Sequence, residues 1–305
     1  MRDKKTGEKA AAREGGKWHI GVIGGSGLAA GIALDDAQEI RVGSPFGEPS
    51  SAVTTGTLAG VRFTFLPRHG AGHRIPPGAI NYRANLDVLK RCGVTDVLAL
   101  SAIGSLREEL APGQFVAVEQ FIDRTRSRER SFFGAGCVAH VALADPVCPR
   151  LSGMAVAAAR KAGATVHESG CYIAIEGPQF STRAESRLYR QWGADVIGMT
   201  AMPEARLARE AELPYALLGM VTDWDSWREV EGEEVSVSEI LRVMAENAKL
   251  AHDTVRALAA ALPKVREASP IDTALDHAIV TAPDARDPLL MARLDAVAGR
   301  VLGTR

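Results

Sequence analysis

The sequence predicts an α/β protein in which helices cover a β-sheet. Short apolar runs rich in β-branched residues alternate with segments of helical periodicity, and this alternation is typical of such folds. The predicted strands cover residues 18–23, 61–66, 94–100, 114–118, 171–175, 195–197 and 215–221. The predicted helices cover residues 81–91, 149–162, 183–191, 203–212 and 236–261, with a further helix over 288–301.

The composition bounds the domain organisation. The chain has 305 residues, of which 46% are hydrophobic and 24% charged, enough for one large α/β domain or two ordinary ones. Residues 1–17 are rich in charged residues, Ala and Gly and lack apolar periodicity, so we expect a disordered leader there. Residues 263–305 turn to Ala, Asp and Pro, and we expect a partly helical tail.

Charge and cysteine usage exclude several classes of partner. The formal net charge of -1 gives no electrostatic reason to expect nucleic acid or an anionic membrane as a partner. No apolar run approaches the ~20 residues of a membrane-spanning helix. The four cysteines show no CxxC spacing and no secretory signal precedes them, so we expect reduced thiols in a cytoplasmic protein.

Two carboxylates follow the predicted strand 215–221. Asp223 and Asp225 are two residues apart, so both can point into one crevice if the segment stays extended. An uncompensated buried carboxylate costs several kcal/mol. A ligand that offers donors to these oxygens, or takes a proton from one of them, removes that cost. We therefore expect chemistry at this strand end.

Small or polar residues also end five other predicted strands. In open α/β sheets such strand ends converge on one crevice, so the sequence predicts that these junctions share one site with Asp223 and Asp225. The junctions are residues 24–27, 68–70, 101–104, 176–178 and 199–200.

Each junction also has a plain structural interpretation. The Gly-rich loop 24–27 is a phosphate cradle or a tight turn, and Arg68 binds an oxyanion or forms an ion pair. His69 and His73 lack a third ligand, so we expect no metal. The arginines of 124–130 fit a solvated loop of alternating charge better than a nucleic-acid site.

Taken in order, these motifs resemble those of the trimeric purine nucleoside phosphorylase family, and most closely its S-methyl-5'-thioadenosine phosphorylase branch. The similarity runs from about residue 18 to residue 262. The motifs that carry it are residues 20–28, 68–70, 81–82, 104–109, 120–125, 175–180, 183–185, 192–195, 198–200 and 222–225.

The resemblance implies a fold, an activity and an assembly. The expected fold is a single domain over 18–262, with a central mixed β-sheet flanked by helices on both faces. The expected activity is phosphorolysis of 5'-methylthioadenosine, or of a related 5'-deoxy-5'-substituted adenosine, including a 5'-halogenated one. The products are adenine and a 5-substituted ribose 1-phosphate. Inorganic phosphate is a co-substrate, no cofactor is expected, and the enzyme is expected to be a homotrimer.

The resemblance also assigns roles to individual residues. Ser26 and Ser101 stand where this branch commonly has Thr, and Ile103 stands where Cys is common. Phosphate binding is implied for Ser26, Arg68, His69, Ser101, Ala102 and Thr200. Base and ribose binding is implied for Phe180, Ser181, Met199, Asp223 and Asp225. The 5' pocket is implied for Val237 and Leu241, with His140 supplied by the neighbouring subunit.

The implied chemistry makes a demand on Asp223. The departing purine must be neutralised by a proton at N7, and an Asp with its ordinary pKa of about 3.9 is a poor acid at neutral pH. We expect burial and repulsion from Asp225 to raise the pKa of Asp223. Asp225 is expected to accept from the exocyclic 6-amino group, which favours adenine over 6-oxopurines.

Three alternatives stay open at this point. The first is a 6-oxopurine or 5'-methylthioinosine phosphorylase. The second is a nucleotide-binding oxidoreductase built on the Gly-rich loop, although the loop lacks the dinucleotide fingerprint. The third is a non-catalytic purine-binding protein.

Overall fold

The computed structural model describes residues 16–25, 31–228 and 237–303, so residues 1–15 of the leader expected over 1–17 lie outside them, whereas Gly16 forms a β-bridge with Arg266. Within this part of the chain, eleven strands form one sheet. They are β1 (His19–Gly24), β2 (Asp35–Ile40), β3 (Val53–Leu58), β4 (Val61–Pro67), β5 (Asp96–Ser105), β6 (Phe115–Val118), β7 (Gln120–Asp123), β8 (Val166–His167), β9 (Cys171–Ala174), β10 (Val196–Gly198) and β11 (Tyr215–Asp223).

The helices cover both faces of this sheet. They are α1 (Tyr82–Arg91), α2 (Pro149–Lys161), α3 (Arg183–Gln191), α4 (Ala201–Glu210), α5 (Val237–Ala261), α6 (Pro288–Arg293) and α7 (Asp295–Leu302). Alternate side chains of β5 enter two separate hydrophobic clusters. Val97 and Ala99 pack with α1, α4 and α7, whereas Leu98 and Leu100 pack with α2 and α5. The predicted mixed sheet with helices on both faces is confirmed.

Local sequence signals fix where helices begin. Asn81 precedes α1 and its side chain accepts a hydrogen bond from the backbone N–H of Ala84. Thr182 and Glu185 form a reciprocal capping box at the start of α3. These caps satisfy backbone donors that a helix leaves unpaired at its first turn.

Strand β5 changes its neighbour part-way along one edge. It pairs in parallel with β1 over Asp96 to Ala99 and antiparallel with β10 at Gly104 and Ser105. Along its other edge it pairs with β11 over nearly its whole length. The sheet therefore opens between Ala99 and Gly104, at a point where strand order changes, and ligand sites of α/β proteins form at such points.

All seven predicted strands and the five predicted helices before residue 262 are present. The structure adds β2, β3, β7 and β8, which the sequence analysis missed. Strand β2 is a mostly exposed run of polar residues and β8 has only two residues, so neither shows apolar alternation. The helix predicted over 288–301 is divided into α6 and α7 at Leu294.

The residues after Pro263 pack onto the same core. Leu275, Leu294 and Val297 belong to the cluster that contains α1 and α4. The backbone of residues 278–280 bonds to residues 138–140, with Ala139 and Ile279 forming a β-bridge. None of the described helices has the length and apolar character needed to cross a membrane.

Candidate active site

A cavity of about 570 Å³ lies where the carboxyl ends of the central strands meet, below helix α5. Each strand-end junction singled out in the sequence contributes a residue to the lining except 176–178, whose neighbours Ile175 and Phe180 line the cavity instead. The lining is mixed polar and apolar. From these strand ends it includes Gly25; Arg68 and His69; Ser101, Ala102, Ile103 and Gly104; Ile175 and Phe180; Met199 and Thr200; and Asp223 and Asp225.

Most of the expected site residues meet in this cavity. The other four are Ser26, Val237, Ser181 and His140. Ser26 and the side chain of Val237 lie outside the described residues. Ser181 is buried beside the cavity without lining it, and His140 is exposed and does not line the cavity of its own chain. Leu241 lines the cavity from α5, although its side chain is 59% exposed.

Arg68 is buried on one side of the cavity and is already paired. Its Nε and Nη2 donate to the two carboxylate oxygens of Glu204, at 2.7 and 2.9 Å. The ion-pair interpretation of Arg68 thus holds for this edge of the guanidinium, which Glu204 occupies. Nη1, which lies 3.5 Å from the carbonyl oxygen of Leu100, is left with donor capacity.

The Glu204 carboxylate keeps Arg68 charged. Burial alone lowers the pKa of the guanidinium, but the charge and hydrogen bonds of Glu204 raise it above its ordinary value. Tyr215 also donates to Glu204, at 2.9 Å, so both carboxylate oxygens are fully engaged. The cavity thus has a fixed positive charge at this end.

His69 lies next to Arg68 as a neutral ring. Burial, with a smaller contribution from the Arg68 charge, lowers the pKa of His69 to about 4. Its Nδ1 lies 2.9 Å from the carbonyl oxygen of Ile75, which fixes the proton on Nδ1 because a carbonyl only accepts. Nε2 is then an acceptor. The ring stacks on His73 at 4.0 Å between centroids.

Two hydroxyls complete this end of the cavity. The Oγ of Ser101 lies 3.1 Å from Oγ1 of Thr200, and both side chains are buried. Thr200 precedes an irregular first turn of α4, since Met202 has non-helical backbone angles (φ -119°, ψ 134°), so the donors here are the two hydroxyls and not a regular helix N-terminus. Arg68, Ser101 and Thr200 together make this end suitable for a tetrahedral oxyanion.

Asp223 lies at the other end of the cavity. Oδ2 accepts from the hydroxyl of Thr222 at 2.7 Å, and Oδ1 accepts from the backbone N–H of Asp225 at 2.8 Å. Burial raises the pKa of Asp223 as expected, while these two hydrogen bonds act in the opposite direction. The expected repulsion between the two carboxylates raises the pKa of Asp225, whereas the backbone N–H of Asp225 acts to lower the pKa of Asp223.

The chain does not stay extended through Asp225. Strand β11 ends at Asp223, and Asp225 has a φ of +48°, a left-handed conformation that costs energy for a residue with a Cβ. The hydrogen bond from Asp225 N–H to the Asp223 carboxylate holds this turn. Both carboxylates still line the cavity, but a turn, not strand alternation, brings them together.

Asp225 is left partly unpaired. Burial, with a contribution from the Asp223 charge, raises its pKa. Among the described residues its buried Oδ2 has no hydrogen-bond partner. The hydroxyls of Ser181 and Ser186 lie close by but make no hydrogen bond of good geometry. A ligand with a donor group would satisfy this oxygen.

Two further contacts shape the middle of the cavity. Phe180 is 47% exposed and presents a flat apolar surface to it. Met199 packs against the turn at Gly177, where an added Cβ would lie 2.4 Å from the sulfur. Gly104 gives Asp223 its space, since a Cβ there would lie 3.0 Å from Asp223 Oδ1.

Sequence reasoning missed three buried polar residues around the cavity. Glu204 pairs with Arg68, Asn247 donates from α5 to the carbonyl oxygen of Val221 at 3.1 Å, and Arg128 hydrogen-bonds the loops described below. The interpretation of 124–130 as a solvated loop is wrong for Arg128, which is 8% exposed. The available signal for Glu204 was a lone acidic residue within the otherwise apolar run 201–205.

The described residues contain no group of three or more His, Cys, Asp or Glu side chains placed to hold a metal ion. The polar chemistry of the cavity therefore comes from a buried guanidinium, hydroxyls, a neutral imidazole and two carboxyls.

The family model of the phosphorylase superfamily matches residues 19–260, which include all the cavity residues. The chain belongs to the phosphorylase superfamily. Relatives within this superfamily include S-methyl-5'-thioadenosine phosphorylase of Cereibacter sphaeroides, 57% identical over 94% of this chain and 99% of the relative. The protein of the same name from Bradyrhizobium diazoefficiens is 55% identical over 93% of this chain and 98% of its own length.

Solved structures of superfamily members share the fold. A methylthioadenosine phosphorylase from an antarctic soil metagenomic library superposes with a TM-score of 0.85 at 42% identity, covering 92% of this chain and 99% of that one. Methylthioadenosine phosphorylase from Schistosoma mansoni in complex with adenine gives a TM-score of 0.74 at 37% identity, covering 79% of this chain and 91% of that one.

Proposed function

We propose that this protein is a purine nucleoside phosphorylase that cleaves 5'-methylthioadenosine, or a closely related 5'-substituted adenosine, with inorganic phosphate. The products are adenine and a 5-substituted ribose 1-phosphate. The observation that carries the proposal is the pairing of an anion-binding end, at Arg68 and Thr200, with a protonatable carboxyl, Asp223, across one cavity. The names of the relatives and of the solved structures support it.

Phosphate is the nucleophile in this reaction. The Nη1 of Arg68 and the hydroxyls of Ser101 and Thr200 donate to its oxygens, with Ala102 and Ser26 as further proposed contacts. The acceptor Nε2 of neutral His69 takes a hydrogen bond from a protonated phosphate oxygen. Binding fixes the phosphate against C1' and removes much of the entropic barrier of a bimolecular step.

Asp223 is the general acid. As the bond from C1' to the purine breaks, negative charge grows on the base, and the Asp223 carboxyl donates its proton at N7. Its raised pKa increases the fraction of protonated carboxyl near neutrality. The C1' centre forms its new bond to a phosphate oxygen, and the bonding pair of the glycosidic bond leaves with the base.

Asp225 and Phe180 hold the base. The unpaired Oδ2 of Asp225 accepts from the exocyclic 6-amino group of adenine, whereas the 6-oxo group of a hypoxanthine would place a second acceptor there. Phe180 packs on the purine face and Met199 on the ribose, with Ser181, next to Asp225, as a further proposed contact. This arrangement favours adenosine substrates over 6-oxopurines and over 5'-methylthioinosine.

The 5' substituent lies toward α5. Leu241, together with Ile240 and Met244, gives the cavity an apolar wall there, and we propose Val237 as a further contact. An apolar wall rewards a methylthio group or a halogen over a hydroxyl, although only modestly. His140 is proposed to reach this region from a neighbouring subunit of a homotrimer in the cytoplasm. The reaction needs no organic cofactor, because phosphate and one carboxyl supply the chemistry.

Product analysis tests this function. 5'-Methylthioadenosine, adenosine and inosine are each incubated with the protein, with and without phosphate, and the products are separated by chromatography. We expect adenine and a sugar phosphate from 5'-methylthioadenosine only when phosphate is present, with slower turnover of adenosine and least of inosine. Release of adenine without phosphate, or faster cleavage of inosine, would contradict the proposal. Retention of a nicotinamide by the purified protein would instead support the oxidoreductase alternative.

A further inference from the structure

Arg128 is a buried arginine that lies beside the cavity without lining it. It donates to the backbone of two separate cavity loops. Nη1 donates to the carbonyl oxygens of Met199 and Met202, at 2.6 and 2.8 Å. Nη2 donates to the carbonyl oxygens of Glu176 and Ile175, at 2.9 and 3.4 Å.

These carbonyls belong to the segments that hold the substrate in the proposed reaction. Met199 and Met202 flank Thr200, at the anion-binding end. Ile175 and Glu176 begin the loop that leads to Phe180, which faces the base. One guanidinium therefore fixes the spacing between the phosphate side and the base side of the cavity.

A third cavity segment is joined to the same group through Tyr82. Nη1 of Arg128 donates to the Tyr82 hydroxyl at 3.0 Å, and this hydroxyl donates in turn to the carbonyl oxygen of Pro77 at 3.0 Å. Pro77 and His73 both line the cavity on the side of His69. The Arg128 side chain also lies over the Tyr82 ring, 5.4 Å from its centroid.

Glu176 holds Arg128 in this position. One carboxylate oxygen accepts from Nε of Arg128 at 3.0 Å, and the other accepts from the backbone N–H of Arg126 at 2.5 Å. The carboxylate thus fixes both the side chain of Arg128 and the loop that carries it. Nε, Nη1 and Nη2 of Arg128 all donate to protein acceptors, so this guanidinium is committed to the loops and not to a ligand.

We propose that Arg128 is a positioning residue for catalysis, which sets the distance between the phosphate and the purine by holding three cavity segments at one point. This inference rests on the proposed phosphorolysis. The planar guanidinium of Arg128 is essential for this role, because its five N–H donors have fixed directions and reach carbonyls on different loops. A lysine at this position keeps the charge but has three donors on a single nitrogen and reaches fewer of these carbonyls.

The test compares Arg128→Lys with Arg266→Lys. Arg266 is a matched control, since it is 7% exposed and also makes several hydrogen bonds, to Asp272, Asp96 and the carbonyl oxygen of Thr95. Its partner Asp96 begins β5, about 17 Å along the strand from Ser101. Melting temperature, kcat, and KM for both substrates are measured for each variant.

We expect both variants to lose thermal stability, and Arg128→Lys alone to lose catalysis. Displacing the loops by about 1 Å reduces kcat/KM on the order of 100-fold, with KM raised for both phosphate and nucleoside. Arg266→Lys should keep kcat and both KM values within about twofold of wild type, as for sites away from the chemistry. If the kinetics of the two variants match, Arg128 has a purely structural role and the inference is overturned.

Tyr82→Phe gives a second measurement if Arg128→Lys does not fold. It removes the link to Pro77 and should raise the KM for phosphate about 3- to 10-fold, the effect of one lost hydrogen bond. An unchanged KM would overturn the inference. Absence of phosphorolysis in the wild-type protein would instead remove the proposed function, so the two failures are distinguishable.

Discussion

The two ends of the cavity differ in how far their charges are paired within the protein. At the phosphate end, Arg68 is held by both oxygens of Glu204, and Glu204 also accepts from Tyr215. At the base end, one buried carboxylate oxygen of Asp225 has no hydrogen-bond partner in the described part of the chain, and the Asp225 backbone has a positive φ. A permanent cation has to be neutralised before any ligand arrives, whereas a carboxyl can stay protonated while its site is empty.

This difference separates the roles of the two ends. At the phosphate end the buried charges are paired within the protein, and Nη1 of Arg68 keeps donor capacity for the substrate. At the base end, the buried Oδ2 of Asp225 is energetically unfavourable in the free protein because it lacks a donor within the described residues. Adenine can donate to this oxygen, so binding of the base removes that free-energy cost. Substitutions at the base end should therefore change turnover, whereas substitutions at the phosphate end should change stability and the KM for phosphate.

The largest expected effect is on turnover at the base end. Asp223→Asn removes the proton donor but keeps the shape of the side chain, and kcat should fall about 10²- to 10⁴-fold, the usual contribution of a general acid. The KM for phosphate should stay near that of wild type because Arg68 and Thr200 are untouched. Steady-state kinetics at saturating phosphate measure this effect, and a near-normal kcat would show that another group protonates the base.

The next effect separates stability from phosphate binding at the other end. Arg68→Met should destabilise the protein by about 3–5 kcal/mol because Glu204 is left buried and unpaired, and it should also raise the KM for phosphate at least tenfold. The double variant Arg68→Met with Glu204→Gln removes both charges. We expect it to regain most of the stability in urea unfolding without regaining phosphate affinity.

A return of phosphate affinity in the double variant would mean that Arg68 acts on phosphate only through the fold. Failure to regain stability would mean that the Tyr215 hydroxyl and the surrounding packing require the ion pair itself.

The two ends should respond oppositely to acid. The folded-state pKa of His69 is about 4 against an ordinary 6.5, so the unfolded chain binds the proton more readily as pH falls from 6.5 toward 4. This contributes a loss of about 2 kcal/mol between pH 7 and pH 5. The raised pKa of Asp225 has the opposite sign: the folded state takes up a proton first, and stability rises as pH falls through that pKa.

Urea unfolding at pH 7 and pH 5 measures both contributions. His69→Gln should lose less stability than wild type on acidification, and Asp225→Asn should lose more. His19→Gln is the control, because its pKa is also lowered to about 4 but it lies on β1 and bonds to Thr64, away from the cavity. Like His69→Gln, His19→Gln should lose less stability than wild type on acidification, but its kcat and KM values should match those of wild type. Equal pH dependence in all three variants would refute the comparison.

The smallest expected effect tests the space around Asp223. Gly104→Ala places a Cβ 3.0 Å from Asp223 Oδ1 and from Ile197 Cγ2, so the carboxylate must shift by a few tenths of an ångström. We expect kcat/KM to fall about tenfold, less than for a 1 Å displacement. Gly153→Ala is the control, since its Cβ on α2 meets nothing within 4 Å and should stabilise the helix by about 0.5–1 kcal/mol. Unchanged kinetics for Gly104→Ala would show that Asp223 has room to spare.

The sequence was sufficient to predict the fold class and the place of the cavity. Strands such as β5 and β11 are apolar runs with distinct ends, and the rule that parallel strand ends converge brought residues 68, 101, 200 and 223 together on paper. Strand β2 was missed because polar exposed residues carry no apolar period.

The pairing within the site could not be predicted in the same way. Arg68 and Glu204 are 136 residues apart, and no local pattern connects a guanidinium with a carboxylate at that distance. Arg128 resembles its charged neighbours in the sequence, and only the packed loops show that it is buried. The prediction that Asp223 and Asp225 reach one crevice was right. Its stated cause, alternation along an extended strand, was wrong, because a turn held by the hydrogen bond from Asp225 N–H to Asp223 brings them together.

The docking of the last forty residues onto the core bears on attempts to shorten this protein. Arg266 and Arg300 neutralise Asp96 and Glu212, two carboxylates that the main domain buries at 0% and 5% exposure. A chain ending at residue 262 would leave Asp96 with Arg150 and Glu212 without its cation, so its solubility and yield would depend on these lost counter-ions. The C-terminal segment thus supplies the cations for these two buried carboxylates. During synthesis, Asp96 and Glu212 can be fully neutralised only after Arg266 and Arg300 have been added to the chain.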